Sequence, residues 1–122
     1  MAQGQEVVST DYPYLPIRVY IRCHRDEPLA LIDTGYTGSL VVPVSNLAGI
    51  WNRPPQGRSS RELGAGGIAP VAPVYLGTLE IVGLFSATIQ ITVMGNEYIL
   101  GRGILSRFEI TFGRGQRIIV RP

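Results

Sequence analysis

The chain contains no lysine: all eleven cationic side chains are arginines, set against nine acidic residues for a formal net charge of +2. The segment from Gly95 onward holds Arg102, Arg107, Arg114, Arg117 and Arg121 against Glu97 and Glu109. That surplus of three could favour an acidic partner, but no nucleic-acid partner is expected. There is one cysteine, Cys23, and one histidine, His24. A lone cysteine excludes an internal disulfide and fits a reducing cytoplasm. One His and one Cys do not complete a tetrahedral site without distant ligands, so no metal is expected. His24 is the only imidazole and sits in a charged turn, Arg22 to Glu27, which leaves no Ser or Cys triad. No apolar run approaches the roughly 20 residues that cross a bilayer. Met1 to Thr10 lacks the basic start and apolar centre of a secretory signal, so no membrane association is expected. With 122 residues, 45% hydrophobic and 16% charged, the chain reads as a single domain, 1–122, small enough to gain stability by dimerising.

What is present is mostly β pattern. Ile17, Val19 and Ile21 alternate with Arg18, Tyr20 and Arg22, and Ala87, Ile89, Ile91 and Val93 alternate with Thr88, Gln90 and Thr92. Both have the period of a half-buried strand. Phe108, Ile110 and Phe112 repeat it, and Gly113 to Gln116 turns the chain into a last strand, Arg117 to Arg121. Val71 to Val82 is β-rich, but Pro73 cannot donate a ladder hydrogen bond and predicts an edge strand or a bulge. Asn52 to Ser60, rich in Arg, Pro, Gly and Ser, reads as a surface loop. Helical turns are expected only at Ser45–Gly49 and Gly103–Arg107. The fold class is therefore all-β with one short helix near the end, preceded by an N-terminal arm, 1–16.

One carboxylate stands out. Leu29, Ala30, Leu31 and Ile32 form an apolar run that reads as a strand buried on both faces, and Asp33 ends it at a turn of Thr34, Gly35, Tyr36, Thr37 and Gly38. A carboxylate at the end of a buried strand must be paired, hydrogen-bonded or protonated; the nearest donors are the Thr34 hydroxyl and the amides of Gly35 and Tyr36. Two such carboxylates at hydrogen-bonding distance would share a proton, one acting as general acid and the other as general base on a trapped water. The chain supplies one, so the second Asp33 must come from a second copy across a two-fold axis.

Asp33-Thr34-Gly35 with its apolar lead-in resembles the signature of aspartic proteases, in particular the single-domain retroviral (retropepsin-like) type. The extended run through an aromatic, Tyr36, and Thr37-Gly38 is most similar to the small bacterial members of that clan. Tyr98 to Phe108 resembles the clan's later motif, in which two apolar residues and a glycine, here Ile99, Leu100 and Gly101, cross beneath the catalytic loop before a short helix. The two motifs lie about 65 residues apart, and the resemblance covers roughly 17–112.

The resemblance implies a small β-barrel-like fold and a homodimeric endopeptidase that acts on peptide or protein substrates without a cofactor. It assigns catalysis to Asp33, Thr34 and Gly35, with Thr34 bracing the two loops across the dimer axis. Leu63 to Ile68, with three glycines between β-prone stretches, is the expected flap tip; Gly66, Gly67 and Ile68 would touch substrate, along with Tyr36, Thr37 and Ile99. Core packing is an equal account of Tyr36, and Ile99, Leu100 and Ile104 read first as core. The chain departs from the retroviral pattern at Thr37, where an acidic residue usually pairs with the later arginine, at Gly103, commonly Asp or Asn, and in a flap tip without an aromatic. Those departures keep an alternative open: a catalytically silent protease-like binding or dimerisation module. A monomeric β-barrel adaptor is a third reading.

Overall fold

In the computed structural model, residues 5–22, 24–47, 57–59, 62–63, 67–68 and 72–122 are described. A long bent hairpin starts the main sheet. β2 (Tyr14–Pro16) and β3 (Arg18–Ile21) are separated by Ile17 alone, and β4 (His24–Asp26) and β5 (Leu29–Ile32) by two residues. β3 pairs with β4, and β2 pairs with β5. The Ile17 amide donates to the Pro28 carbonyl at 3.0 Å, holding the two strands together through the bend.

Those two hairpin halves are the two ends of one sheet of nine strands. Its order is β2-β5-β12-β6-β11-β10-β3-β4, where β6 is Leu40–Val42, β10 Ala72–Ile81, β11 Phe85–Val93 and β12 Ile99–Leu100; β7 (Gly57–Ser59) adds to β10. Because covalently continuous segments occupy both ends, the sheet must curl back on itself, and it forms a half-barrel. The Tyr98 phenol reinforces the curl by donating to the Asp26 carboxylate, which joins the residue before β12 to β4. Leu15, Leu40, Leu79, Ile91, Leu100 and Ile104 are fully buried on the inner side. Burial of each such side chain stabilises the fold by roughly 1.5–3 kcal/mol.

The chain ends form a second sheet, β1-β14-β13: β1 (Val7–Ser9), β14 (Arg117–Arg121) and β13 (Glu109–Gly113). Ile118 and Val120 turn one face of it into the core, and Arg121 ties it to Glu6 at 3.0 Å. A two-stranded hairpin, β8 (Glu62–Leu63) with β9 (Gly67–Ile68), pairs Leu63 with Gly67. The helix α1 (Arg102–Leu105) is a single turn, and Val44–Leu47 is a 3-10 turn, so the all-β reading holds. Among the described residues no helix is long and apolar enough to cross a membrane.

The structure corrects four expectations. β5 is buried on one face only: Ala30 and Ile32 point inward while Leu29 is 45% exposed, because the sheet's convex side is not covered there. β10 is an interior strand from Val74 to Ile81, paired with β11; Pro73 is accommodated because it lies beyond that pairing, opposite Arg58 of β7. Gly57–Ser59 is that added strand, so this part of the expected loop at Asn52–Ser60 is β structure; 52–56 and 60 lie outside the described residues. Within Arg22–Glu27, His24–Asp26 is a strand, and Arg22 turns the chain at φ +56°. Within the N-terminal arm, Val7–Ser9 forms β1 and Tyr14–Pro16 forms β2.

Candidate active site

Asp33 follows directly on β5, where β12 is inserted between β5 and β6. β12 runs parallel to β5 and antiparallel to β6, so the chain from β5 to β6 must arch over the end of β12. That arch is Asp33 to Ser39. Its backbone is bonded at both ends and in the middle to β12 and the residues that lead from it into α1. The Asp33 amide donates to Leu100 O at 3.0 Å, and Tyr36 O accepts from the Arg102 amide at 2.7 Å. Gly38 O accepts from Gly103 at 3.0 Å and Ser39 O from Gly101 at 3.0 Å. Four main-chain bonds over so short a segment leave the carboxylate little freedom to wander.

The crossing requires glycine. A Cβ on Gly101 would lie 2.2 Å from Gly38 O and 2.3 Å from the Tyr36 ring; one on Gly103 would lie 2.6 Å from the Ser39 hydroxyl. Gly103 is thus fixed by the approach of the arch. An Asp or Asn at that position would have no room without displacement of Ser39.

Asp33 is half-buried, and its Oδ1 accepts the Gly35 amide at 2.9 Å. Of the three donors expected from the sequence, Gly35 is the one that reaches the carboxylate. The Tyr36 amide instead donates to the Asp33 main-chain carbonyl at 3.3 Å, which closes the turn. Thr34, Gly35 and Thr37 are exposed beside the carboxylate. Tyr36 has 8% exposure, with its ring against Gly101 under the arch. Arg102 is exposed on the adjoining turn of α1, with the neutral Thr37 exposed on the arch.

Ile99 is half-buried, pairs across the sheet with Leu31 and Val41, and lines a cleft of about 250 Å³ with Val41, Met94, Gly95, Asn96 and Glu97. Asp33 does not line it. Leu100 and Ile104 are core. Of the expected flap tip, Leu63, Gly67 and Ile68 belong to the β8–β9 hairpin; 64–66, including Gly66, lie outside the described residues. Among the described residues no three His, Cys, Asp or Glu side chains are grouped to hold a metal; Cys23 lies outside them.

Sequence reasoning missed the segment that supports the arch from the other side. Ser9 is 2% exposed; its hydroxyl donates to Tyr14 O at 2.6 Å and accepts the Asp11 amide at 3.2 Å, which shapes the turn 9–14. That turn presents Pro13 O to the amide of Ile32 at 3.1 Å, one residue before Asp33. The Tyr14 phenol then reaches Glu97 at 2.6 Å, a bond to a carboxylate that raises its pKa above 10.0. The available signal was a Ser and an Asp two positions apart before a Tyr-Pro pair, which marks a side-chain-capped turn.

No protein-family model matches the chain, and no curated protein matches it. Among solved structures it is similar to a retropepsin-like aspartic protease from Rickettsia conorii, with a TM-score of 0.61 and 15% identity over 98% of this chain and 96% of that one. The likeness is one of fold.

Proposed function

We propose that this chain is one protomer of a homodimeric aspartic endopeptidase, with the catalytic site formed by Asp33 of two copies. The observation that carries the reading is the Asp33 arch: a single half-buried carboxylate, oriented by the Gly35 amide and held over β12 by main-chain bonds, with Thr34 and Gly35 open beside it. A pre-positioned acid at an exposed turn suits proton transfer to a bound substrate.

In this reading the two carboxylates share one proton because both cannot ionise side by side. The ionised one removes a proton from the water held between them as the water oxygen attacks the peptide carbonyl carbon. The other gives its proton to the carbonyl oxygen. As the tetrahedral intermediate collapses, the C–N bond breaks, the departing amine takes the proton that the first carboxylate drew from the water, and the second carboxylate recovers its own from a hydroxyl of the intermediate, so water has been added across the bond and the pair is restored. Thr34 braces one arch against the other, and the β8–β9 hairpin with Gly66, Gly67 and Ile68 covers the peptide and excludes water. Thr37 and Ile99 belong to the groove. Neither metal nor organic cofactor has a step in this chemistry, and the partners are a peptide or protein substrate and a second copy. The lone cysteine suits a reducing cytoplasm.

The test is cleavage of a mixed peptide library between about pH 4 and 7, toward the acidic end of which a carboxylate pair keeps its shared proton, by the natural chain and by Asp33→Asn at matched concentrations. Cleavage that disappears in the Asn variant, with both proteins folded and dimeric, supports the reading. Products from neither protein would favour the silent binding module; products from both would exclude Asp33 as the catalytic acid.

A further inference from the structure

We propose that the exposed aromatic pair Tyr12–Phe112 is the contact through which a second copy of this chain docks beside Asp33. The inference rests on the endopeptidase reading, which requires two copies, and adds the surface they use. Tyr12 is 38% exposed and Phe112 45%, and the rings meet edge to face with centroids 6.3 Å apart. Phe112 pairs across the terminal sheet with the buried Ile118, so it belongs to the row that faces the core, yet it stands at the rim where the core ends. A monomer gains little from two large rings left in water on one another. Aromatic side chains clustered at a surface are the usual anchors of a protein interface.

Position selects the occupant. The Tyr12–Pro13 turn is bonded to β5 at Ile32, so the pair adjoins the arch that carries the carboxylate. Any two-fold axis that brings two Asp33 side chains together must bury surface next to that arch, and two-fold symmetry sets this patch close to its own copy. The rim carries both signs. Asp11 precedes Tyr12, while Arg114 and Arg117 flank the hairpin turn whose Gly115 lies against the Tyr12 ring; all three charged residues are exposed. Around a two-fold axis the acid of one copy can meet the arginines of the other, which makes the patch complementary to itself. Two other exposed apolar residues, Leu29 and Val82, lie elsewhere. Leu29 is at the opposite end of β5 from Asp33, and Val82 lines a separate cleft with Val7, Pro16, Ile17, Arg18 and Glu27.

Sedimentation equilibrium on the full chain tests this with Phe112→Arg, Tyr12→Ala and Val82→Arg, together with far-UV circular dichroism and the peptide-cleavage assay. Phe112→Arg is expected to raise the dimer dissociation constant at least about 30-fold, the size of an interface anchor lost. Tyr12→Ala should act in the same direction, Val82→Arg should leave the constant unchanged, and cleavage by the Phe112 variant should recover with protein concentration. If its dichroism departs from that of the natural chain, Tyr12→Ala decides. Unchanged dimerisation of folded Tyr12 and Phe112 variants, with cleavage that still depends on Asp33, would overturn the surface and leave the endopeptidase standing. A natural chain that stays monomeric at every concentration would overturn both. A dimer broken by these substitutions that never cleaves would support the surface and overturn the endopeptidase.

Discussion

Around Asp33 the backbone is held from two sides, by Gly101, Arg102 and Gly103 through β12 and α1, and by Pro13 through the arm. In the sheet formed by the chain's two ends, one face is packed and the other carries charges that meet water, such as the Arg121–Glu6 pair, whose side chains are 42% and 49% exposed. The first region is complete within one chain in its geometry and, on the endopeptidase proposal, incomplete in its chemistry, since it holds one carboxylate. The second is complete as a sheet and incomplete as a surface, with Phe112 left at its rim. The difference teaches that orientation of the acid is an intramolecular matter, whereas the assembly that would make it catalytic must be read from what the ends of the chain leave exposed.

Substitutions can break that contrast, and they are expected to differ widely in size. Asp33→Asn should reduce peptide cleavage by at least about 10³-fold, within the range carried by a positioned acid–base group, while leaving the melting temperature nearly unchanged. Equal loss of folding and activity would mean that the carboxylate is structural. Gly101→Ala should cost about 3 kcal/mol or more in denaturant unfolding, because the new Cβ would meet two fixed groups, Gly38 O and the Tyr36 ring, that cannot both withdraw. A loss below about 1 kcal/mol would show that the arch is looser than its hydrogen bonds suggest. Arg121→Ala should change stability by no more than about 1 kcal/mol, as an exposed ion pair does, and the effect should shrink in high salt.

The smallest effect concerns the arm. The Glu97 carboxylate raises the Tyr14 phenol's pKa above 10.0, so the folded state holds that proton more tightly than the unfolded state. Its stabilisation is fully present below the unfolded value and is lost as pH rises through the folded one. Thermal melts of the natural chain and Tyr14→Phe should therefore differ near neutral pH and converge above pH 10. A constant difference would show that the phenol contributes packing alone.

Much of the framework was legible in the residues. The alternation at Ala87–Val93 and Ile17–Ile21 found β11 and β3, and Gly113 to Gln116 found the terminal hairpin, because half-buried strands and glycine turns write themselves locally. The crossing at Ile99–Gly101 beneath Asp33 was expected only from the family resemblance that the two motifs carry, not from the residues' own pattern. The misreadings share one cause. Pro73 as an edge residue, Arg22–Glu27 as a turn and Asn52–Ser60 as a loop were all judged from local propensity, while their states are set by which strand pairs beside them. The arm's support of Ile32 was invisible for the same reason: it runs through a main-chain carbonyl, which carries no residue identity.

The central claim is that each working site takes one Asp33 from each of two copies, and subunit mixing tests it most directly. The natural chain is diluted, mixed with a tenfold excess of Asp33→Asn, brought back to dimer-forming concentration and assayed on a cleavable peptide. If both carboxylates are needed, only about one natural chain in eleven finds a natural partner after random exchange, and cleavage per natural chain should fall to about a tenth. Cleavage that stays unchanged after complete exchange would mean that one Asp33 suffices, and would contradict the account.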